Sequence, residues 1–195
     1  LVDQAAIQLK SRQSGALQME LLPVVAEFGL AALPEPSPGD VFFDIESDPY
    51  VGEHGLEYLF GYGYFDEHGS WTCVQEWGFS PSQEKVIFER FIDFVMVLRE
   101  RFPGMHIYHF APYEPGALKC LMGRYGTRED EVDRLLRGKV LVDLHSIVRH
   151  AVRAGVEIYS LKKLEPFYDF KRQIPLRQAN SALTKLSALL ELSGA

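Results

Sequence analysis

Two acidic side chains follow the first strongly apolar stretch of the chain. In the segment VFFDIESDP, residues 41–49, three apolar residues lead directly to Asp44 and Glu46. Residues two apart on a β-strand point to the same face, so we expect these two carboxylates to lie side by side. Paired carboxylates repel each other unless a cation lies between them, and Mg²⁺ and Mn²⁺ take oxygen ligands of this kind. The pair predicts either a divalent-metal site at the end of a buried strand or a charged strand end in solvent.

A third acid follows a second short apolar strand. In YHFAPYEPGAL, residues 108–118, a strand ends near His109 and Glu114 stands in the first turn of the next helix. An acid at this position stabilises a helix through its dipole by about 0.3–1 kcal/mol, which would alone explain it. If the two strands are neighbours in one sheet, however, Glu114 faces Asp44 and supplies a further oxygen ligand.

Other polar residues at strand ends favour structural roles. Asp143 follows the apolar run KVLV and is expected to cap the helix that starts there rather than to bind a metal. His109 and His145 are expected to make structural hydrogen bonds. Ser47 has no visible base partner, and neither a GxSxG nucleophile motif nor a phosphate-binding glycine loop occurs.

A mildly basic segment is the candidate nucleic-acid contact. Residues 112–178 carry 13 Lys and Arg against 9 Asp and Glu, whereas the rest carries 7 against 18, for a net charge of −7. In YSLKKLE, residues 159–165, Ser160 is a natural helix N-cap, and Lys162 and Lys163 could contact a phosphate backbone or simply be solvated. An acidic protein can still bind phosphate locally through such a segment.

The elements that would position these residues follow from hydrophobic periodicity. Three strands are predicted at 41–46, 56–65 and 71–79, with a hairpin turn at 66–70, so they should be antiparallel neighbours. Helices and strands then alternate, starting with a helix at 82–102 for which Ser82 is the predicted N-cap. This order is typical of an α/β fold: a mixed sheet of three antiparallel and then two parallel strands, with helices on both faces. We expect residues 1–32 to be a helical segment and linker from a preceding domain, and residues 33–195 to form the main domain.

Composition limits the function classes. The chain has 195 residues, 47% of them hydrophobic, and no apolar run of the roughly 20 residues that a membrane span needs. We see no leader sequence for export. Cys73 and Cys120 make no metal-binding spacing, so a reduced, cytoplasmic setting is expected.

With these pieces placed, the sequence resembles the ribonuclease H-like superfamily, and within it the DEDD-type 3′–5′ exonucleases. FFDIES is similar to the first motif of that family, an Asp-x-Glu on the first strand. YHFAPYEPGAL is similar to the second, an H-N-x-x-F-D pattern, in which His109 matches the histidine, Tyr113 the phenylalanine and Glu114 the metal-binding aspartate. Phe110 stands where the pattern has asparagine. YSLKKLEPF resembles the SL-x-x-L helix that precedes the last motif.

Residues 23 to 192 more closely resemble the RNase H-like module of large bacterial RecB-like nuclease proteins. In those proteins a RecB-type nuclease segment precedes the module and a helicase follows it. The segments GLAALPEPSPGDVFFDIESDP, GLEYLFGYGY and YEPGALKCLMGRYG carry this resemblance. The last motif of the family, a Tyr- or His-x-x-x-Asp on a late helix, is absent. We therefore expect the chain to be truncated before that motif, with the fourth carboxylate and the general base outside it.

The resemblance implies a two-metal phosphodiesterase, a probable exonuclease acting on DNA or RNA. Two ions, Mg²⁺ or Mn²⁺, would bind at Asp44, Glu46 and Glu114, with Asp44 between them. The expected partners are single-stranded nucleic acid and the RecB-like nuclease and helicase domains of the same polypeptide. The fragment itself would be weakly active or inactive. The alternative is an inactive RNase H-like module that serves as a nucleic-acid-binding or domain-docking platform. A haloacid dehalogenase-type phosphatase is disfavoured because Glu46 stands where that chemistry needs a second aspartate.

Overall fold

The computed structural model describes residues 2–193. In chain order its helices and strands are α1 (Val2–Ser14), β1 (Met19–Leu21), β2 (Val41–Asp48), β3 (Leu56–Phe65), β4 (Trp71–Trp77), α2 (Pro81–Arg101), β5 (Ile107–His109), α3 (Tyr113–Tyr125), α4 (Glu129–Arg137), β6 (Leu141–Asp143), α5 (Leu144–Ala151), β7 (Val152–Ala154), α6 (Leu161–Leu164) and α7 (Leu176–Ser193). Two short 3₁₀ helices lie at Gly29–Ala32 and Glu165–Tyr168.

A five-stranded mixed sheet has the strand order β4-β3-β2-β5-β6. The strands β2, β3 and β4 pair antiparallel, as the aromatic runs and the hairpin turn predict. β5 pairs parallel to β2, with Val41 opposite Ile107. The predicted mixed α/β fold is therefore confirmed, and the parallel pairing brings the ends of β2 and β5 to the same edge of the sheet.

Alternate residues of β2 face the hydrophobic core and the opposite side of the sheet. Val41, Phe43 and Ile45 are buried on one face, where Phe43 stacks on Phe91 of α2 with ring centroids 3.9 Å apart. The alternate residues, including Asp44 and Glu46, are exposed on the opposite face. The hydrophobic core therefore holds the strand that carries both carboxylates.

The cap of α2 differs from the prediction. The helix starts at Pro81, and Ser80 is its N-cap, accepting a hydrogen bond from the backbone N–H of Gln83 at 3.4 Å. Ser82 lies inside the first turn instead. Proline suits the first helical position, which places the cap one residue earlier, at Ser80.

The chain divides into two compact units. One comprises residues up to 34 together with 143–175, and the other comprises residues 35–142 together with α7. In the first unit, β1 and β7 form a two-stranded antiparallel sheet that the sequence did not predict. In the second, α7 contributes Leu190 to a small cluster with Val51, Leu56 and Tyr58. Within residues 2–193, no helix is both long and apolar enough to cross a membrane.

Candidate functional site

Near the end of β2, two acids lie beside a part of β3 where a glycine leaves side-chain space empty. Asp44 pairs with Gly61 of β3, and Glu46 pairs with Leu59. A Cβ atom added at Gly61 would meet only the Asp44 carbonyl oxygen, at 3.8 Å, so the space beside Asp44 is open. The register shifts between Glu46 and Ser47, as in a β-bulge. Bulges of this type redirect the side chains that follow them.

Glu114 approaches the same place from α3. Its side chain is buried, with 2% of the residue exposed. The turn before the helix contains Ala111 at φ 80°, a backbone conformation that residues other than glycine rarely adopt. This turn directs the first residues of α3 back toward β2.

The carboxyl groups of Asp44 and Glu114 interact directly. Burial, then the charges of Glu46 and Glu114, and then a hydrogen bond with Glu114 raise the pKa of Asp44 from 3.8 to about 6. The Asp44 residue is exposed overall, so solvent screening weakens these effects, but each of them acts in the same direction. Asp44 thus interacts electrostatically with both of the other predicted acids, and the three form a region of negative charge.

The imidazole of His109 lies beside the Glu114 carboxylate. The Nδ1 atom of His109 lies 2.7 Å from the Ala111 carbonyl oxygen and 3.3 Å from Oε2 of Glu114. A carbonyl oxygen can only accept, so Nδ1 must donate its proton to Ala111. Oε2 of Glu114 is buried without a hydrogen-bond partner.

A second buried glutamate shows the contrast. Glu84 is completely buried, and its carboxylate accepts hydrogen bonds from Arg124, at 2.8 Å, from Tyr125 and from the backbone N–H of Glu57. A buried charge is expected to have such partners. Glu84 is therefore a structural acid, whereas Oε2 of Glu114 makes no hydrogen bond within residues 2–193.

The acids fit a divalent cation only in part. Asp44 and Glu114 offer adjacent oxygens, one of them unpartnered, and Glu46 adds nearby charge. Oxygen-rich sites of this kind suit Mg²⁺ or Mn²⁺. Across residues 2–193, however, no three His, Cys, Asp or Glu side chains are grouped closely enough to hold an ion as they stand.

A tyrosine links the two elements that carry the acids. The Tyr113 hydroxyl lies 2.6 Å from Oγ of Ser47 and 2.8 Å from Oε2 of Glu57. Burial raises the pKa of Glu57, against the lowering effect of the Tyr113 hydrogen bond. The sequence did not predict a role for Glu57. A single acid on a strand is usually an exposed polar residue, and its hydrogen-bond partner, Tyr113, is 56 residues away.

The other acids and histidines that follow the strands have structural contacts. Asp48 is buried and accepts from the Tyr50 backbone N–H at 3.0 Å, so it stabilises the turn through Pro49. Asp143 accepts from the His145 backbone N–H at 2.9 Å and is the N-cap of α5, as predicted.

The predicted nucleic-acid contacts lie in the first unit. Lys162 and Lys163 are exposed on α6. Ser160 occupies the N-cap position of that helix, but its side chain makes no capping hydrogen bond.

The chain matches one known family. The family model of the RNase H superfamily matches residues 41–183, a span that starts at β2 and includes Asp44, Glu46 and Glu114. No curated protein and no solved structure shows significant similarity. The match covers most of the chain and agrees with the strand order of the sheet. The chain therefore belongs to the RNase H superfamily, whose domains act on nucleic acids, typically as nucleases that use divalent metal ions.

Proposed function

We propose that this domain is a divalent-metal-dependent nuclease, and specifically a 3′–5′ exonuclease of the DEDD type. One observation carries the proposal: the carboxylate of Glu114 is buried beside Asp44 with an oxygen that has no hydrogen-bond partner among the described residues. An unpaired buried acid is costly to the fold and is retained where function needs it. Membership of a nuclease superfamily gives that acid a chemical role.

The roles of the acids follow from their positions. Asp44 and Glu114 would hold the ion, and Glu46 would support it from the next outward-facing position of β2. A bound Mg²⁺ or Mn²⁺ would supply Lewis-acid stabilisation of the scissile phosphate and lower the pKa of a bound water. Family resemblance assigns the remaining carboxylate and the general base to a Tyr- or His-x-x-x-Asp motif on a late helix, where this sequence has none.

The wider context is also part of the proposal. The resemblance to RecB-like nuclease proteins supports a module that works beside RecB-like nuclease and helicase domains on single-stranded DNA or RNA in the cytoplasm. Lys162 and Lys163 are exposed cations that could contact the phosphate backbone.

A second function remains in competition. A module that binds nucleic acid or docks other domains without catalysis needs no metal site. The lack of a group of three potential ligands within residues 2–193 favours this alternative. Glutamate in place of aspartate at position 114, and Phe110 in place of asparagine, favour it as well.

Metal binding and hydrolysis together test the proposal. The chain is titrated with Mn²⁺, and is then assayed with 5′-labelled single-stranded DNA and RNA in Mg²⁺ or Mn²⁺. We expect a ladder of products shortened from the 3′ end, abolished by EDTA. Asp44→Asn and Glu114→Gln should each reduce Mn²⁺ affinity and hydrolysis by about 100-fold.

Glu67→Gln is the matched control, since Glu67 is an exposed acid and its ion pair to Arg101 is long, at 3.8 Å. It should behave as the wild type. Hydrolysis that survives Asp44→Asn would overturn the catalytic proposal. Nucleic-acid binding without Mn²⁺ binding would instead support the platform.

A further inference from the structure

A hydrogen-bonded link connects the strand and the helix that carry the candidate ligands. Ser47 directly follows Glu46 on β2, and Tyr113 directly precedes Glu114 on α3. Their hydroxyl oxygens are 2.6 Å apart. The Ser47–Tyr113 contact therefore joins the two elements one residue away from an acid on each side.

The Glu57 carboxylate is the hydrogen-bond acceptor at the end of this link. Tyr113 has one hydroxyl proton and two oxygen neighbours, Oγ of Ser47 and Oε2 of Glu57. As a carboxylate Glu57 only accepts, so Tyr113 donates to it, and the Ser47 hydroxyl lies within hydrogen-bonding distance of the same phenol.

Glu57 is itself held in place. Its backbone N–H donates to Oε1 of Glu84, a completely buried carboxylate that Arg124 and Tyr125 also bind. Arg124 in turn donates to the His54 carbonyl oxygen at 2.8 Å. The acceptor end of the link is thus anchored in the core between β3, α2 and α3.

The backbone is irregular next to the acids on both β2 and α3. The β-bulge after Glu46 interrupts the regular pairing of β2 with β3 at the point where the acids stand. On the other side, Glu114 follows a turn with Ala111 at positive φ. β2 pairs with β3 on both sides of the bulge, so it is α3, which follows this turn, that the Tyr113 contact fixes relative to β2.

We propose that Tyr113, Ser47 and Glu57 are positioning residues that hold Glu114 at the distance from Asp44 and Glu46 that a divalent cation requires. The inference rests on the proposed metal-dependent function. The motif that this sequence resembles has phenylalanine where Tyr113 stands. Phenylalanine has no hydroxyl group and could not make these hydrogen bonds. Residues that orient metal ligands typically change affinity or activity by about 10–100-fold when removed.

Two measurements on purified protein test the proposal. The first is Mn²⁺ affinity, from the electron paramagnetic resonance signal of the free ion. The second is amide hydrogen exchange of residues 113–117 without metal. Tyr113→Phe should weaken Mn²⁺ binding by about 10-fold and speed exchange in the first turn of α3, while the melting temperature of the apoprotein changes little.

The variants at Glu57 separate its hydrogen bond from its charge. Glu57→Gln keeps an oxygen acceptor for Tyr113 and should retain near wild-type Mn²⁺ affinity, whereas Glu57→Ala should resemble Tyr113→Phe. A loss in Glu57→Gln as large as that in Glu57→Ala would show that Glu57 acts through its charge, which overturns a positioning role for this residue. Tyr50→Phe is the control, since Tyr50 is 80% exposed.

The outcomes distinguish this inference from the proposed function. If Asp44→Asn abolishes Mn²⁺ binding but Tyr113→Phe leaves it unchanged, the link is overturned and the metal site stands. Faster exchange without weaker Mn²⁺ binding would show a purely structural contact and also overturns the inference. If wild-type protein binds no Mn²⁺, the proposed function and this inference both fail.

Discussion

Asp44 lies in an environment that destabilises its charged form. Its carboxyl group is crowded by Glu46 and Glu114, and its pKa is raised to about 6. A fully hydrated carboxylate at a strand end would destabilise the folded state less. The divalent cation of the proposed function would relieve this repulsion.

The stability of Asp44→Asn tests this cost in the absence of metal. A raised pKa means that the folded state favours protonated Asp44, so the contribution of Asp44 to stability is fully present below about pH 4 and falls as the pH rises through about 6. Asparagine does not ionise and avoids this fall. We expect the variant to be more stable than the wild type at pH 7.5, by about 1 kcal/mol or less because the site is solvent-screened, and equally stable at pH 3.5.

Urea denaturation in EDTA at the two pH values measures the difference. Glu67→Gln, at an exposed acid, should show no such pH-dependent gain. A wild type that is more stable than Asp44→Asn at pH 7.5 would contradict the crowding of the three acids.

The sequence predicted the acids of the site better than it predicted their surroundings. Asp44, Glu46 and Glu114 stand out because each follows an apolar strand. Glu57 and Glu84 could not be recognised, because their roles depend on Tyr113 and Arg124, which are 56 and 40 residues away. Periodicity carries no information about which distant side chains will meet.

Among the elements, the long helix α2 offers a test of local signals. Both Ser80 and Ser82 are N-cap residue types, and the structure gives the capping hydrogen bond to Ser80. Ser80→Ala should therefore lower the free energy of unfolding by about 1 kcal/mol, and Ser82→Ala by only a few tenths. Urea denaturation of both variants decides between the two caps, and equal losses would contradict the assignment.

The packing of α2 and α3 on β3 depends on the buried pair of Glu84 and Arg124. Arg124→Met would leave the Glu84 carboxylate buried without its cation. We expect a loss of about 3–5 kcal/mol in the free energy of unfolding. Arg90→Met is the matched control, because the ion pair of Arg90 with Glu76 is exposed on the arginine side, and it should cost less than about 1 kcal/mol.

Chemical denaturation measures both arginine variants. A small loss in Arg124→Met would mean that Tyr125 and the Glu57 backbone satisfy Glu84 by themselves. The acceptor end of the Tyr113 link would then be less firmly anchored than its hydrogen bonds indicate.

Across the molecule, predictability follows the distance between pairing partners. The predicted bounds of β3 equal those observed, Leu56–Phe65, because an aromatic run and an adjacent hairpin turn are local signals. The pairing of β1 with β7 joins Met19 to Ala154, and each strand has only three residues. So short a strand has no detectable period, so this sheet could not be predicted. The division into residues 1–32 and 33–195 stays a prediction.

The response of the whole molecule to Mn²⁺ is the broadest test of the site. An ion that binds only the folded state stabilises it by about 2.7 kcal/mol at 100 times its dissociation constant. For a chain of this length, that gain corresponds to a rise of about 5–10 °C in melting temperature. The rise should disappear in Asp44→Asn and persist in Glu67→Gln. It should also shrink as the pH is lowered through about 6, where protons compete with the metal for Asp44. Differential scanning fluorimetry against Mn²⁺ concentration measures all of these, and an equal rise in Asp44→Asn would place the ion away from the three acids.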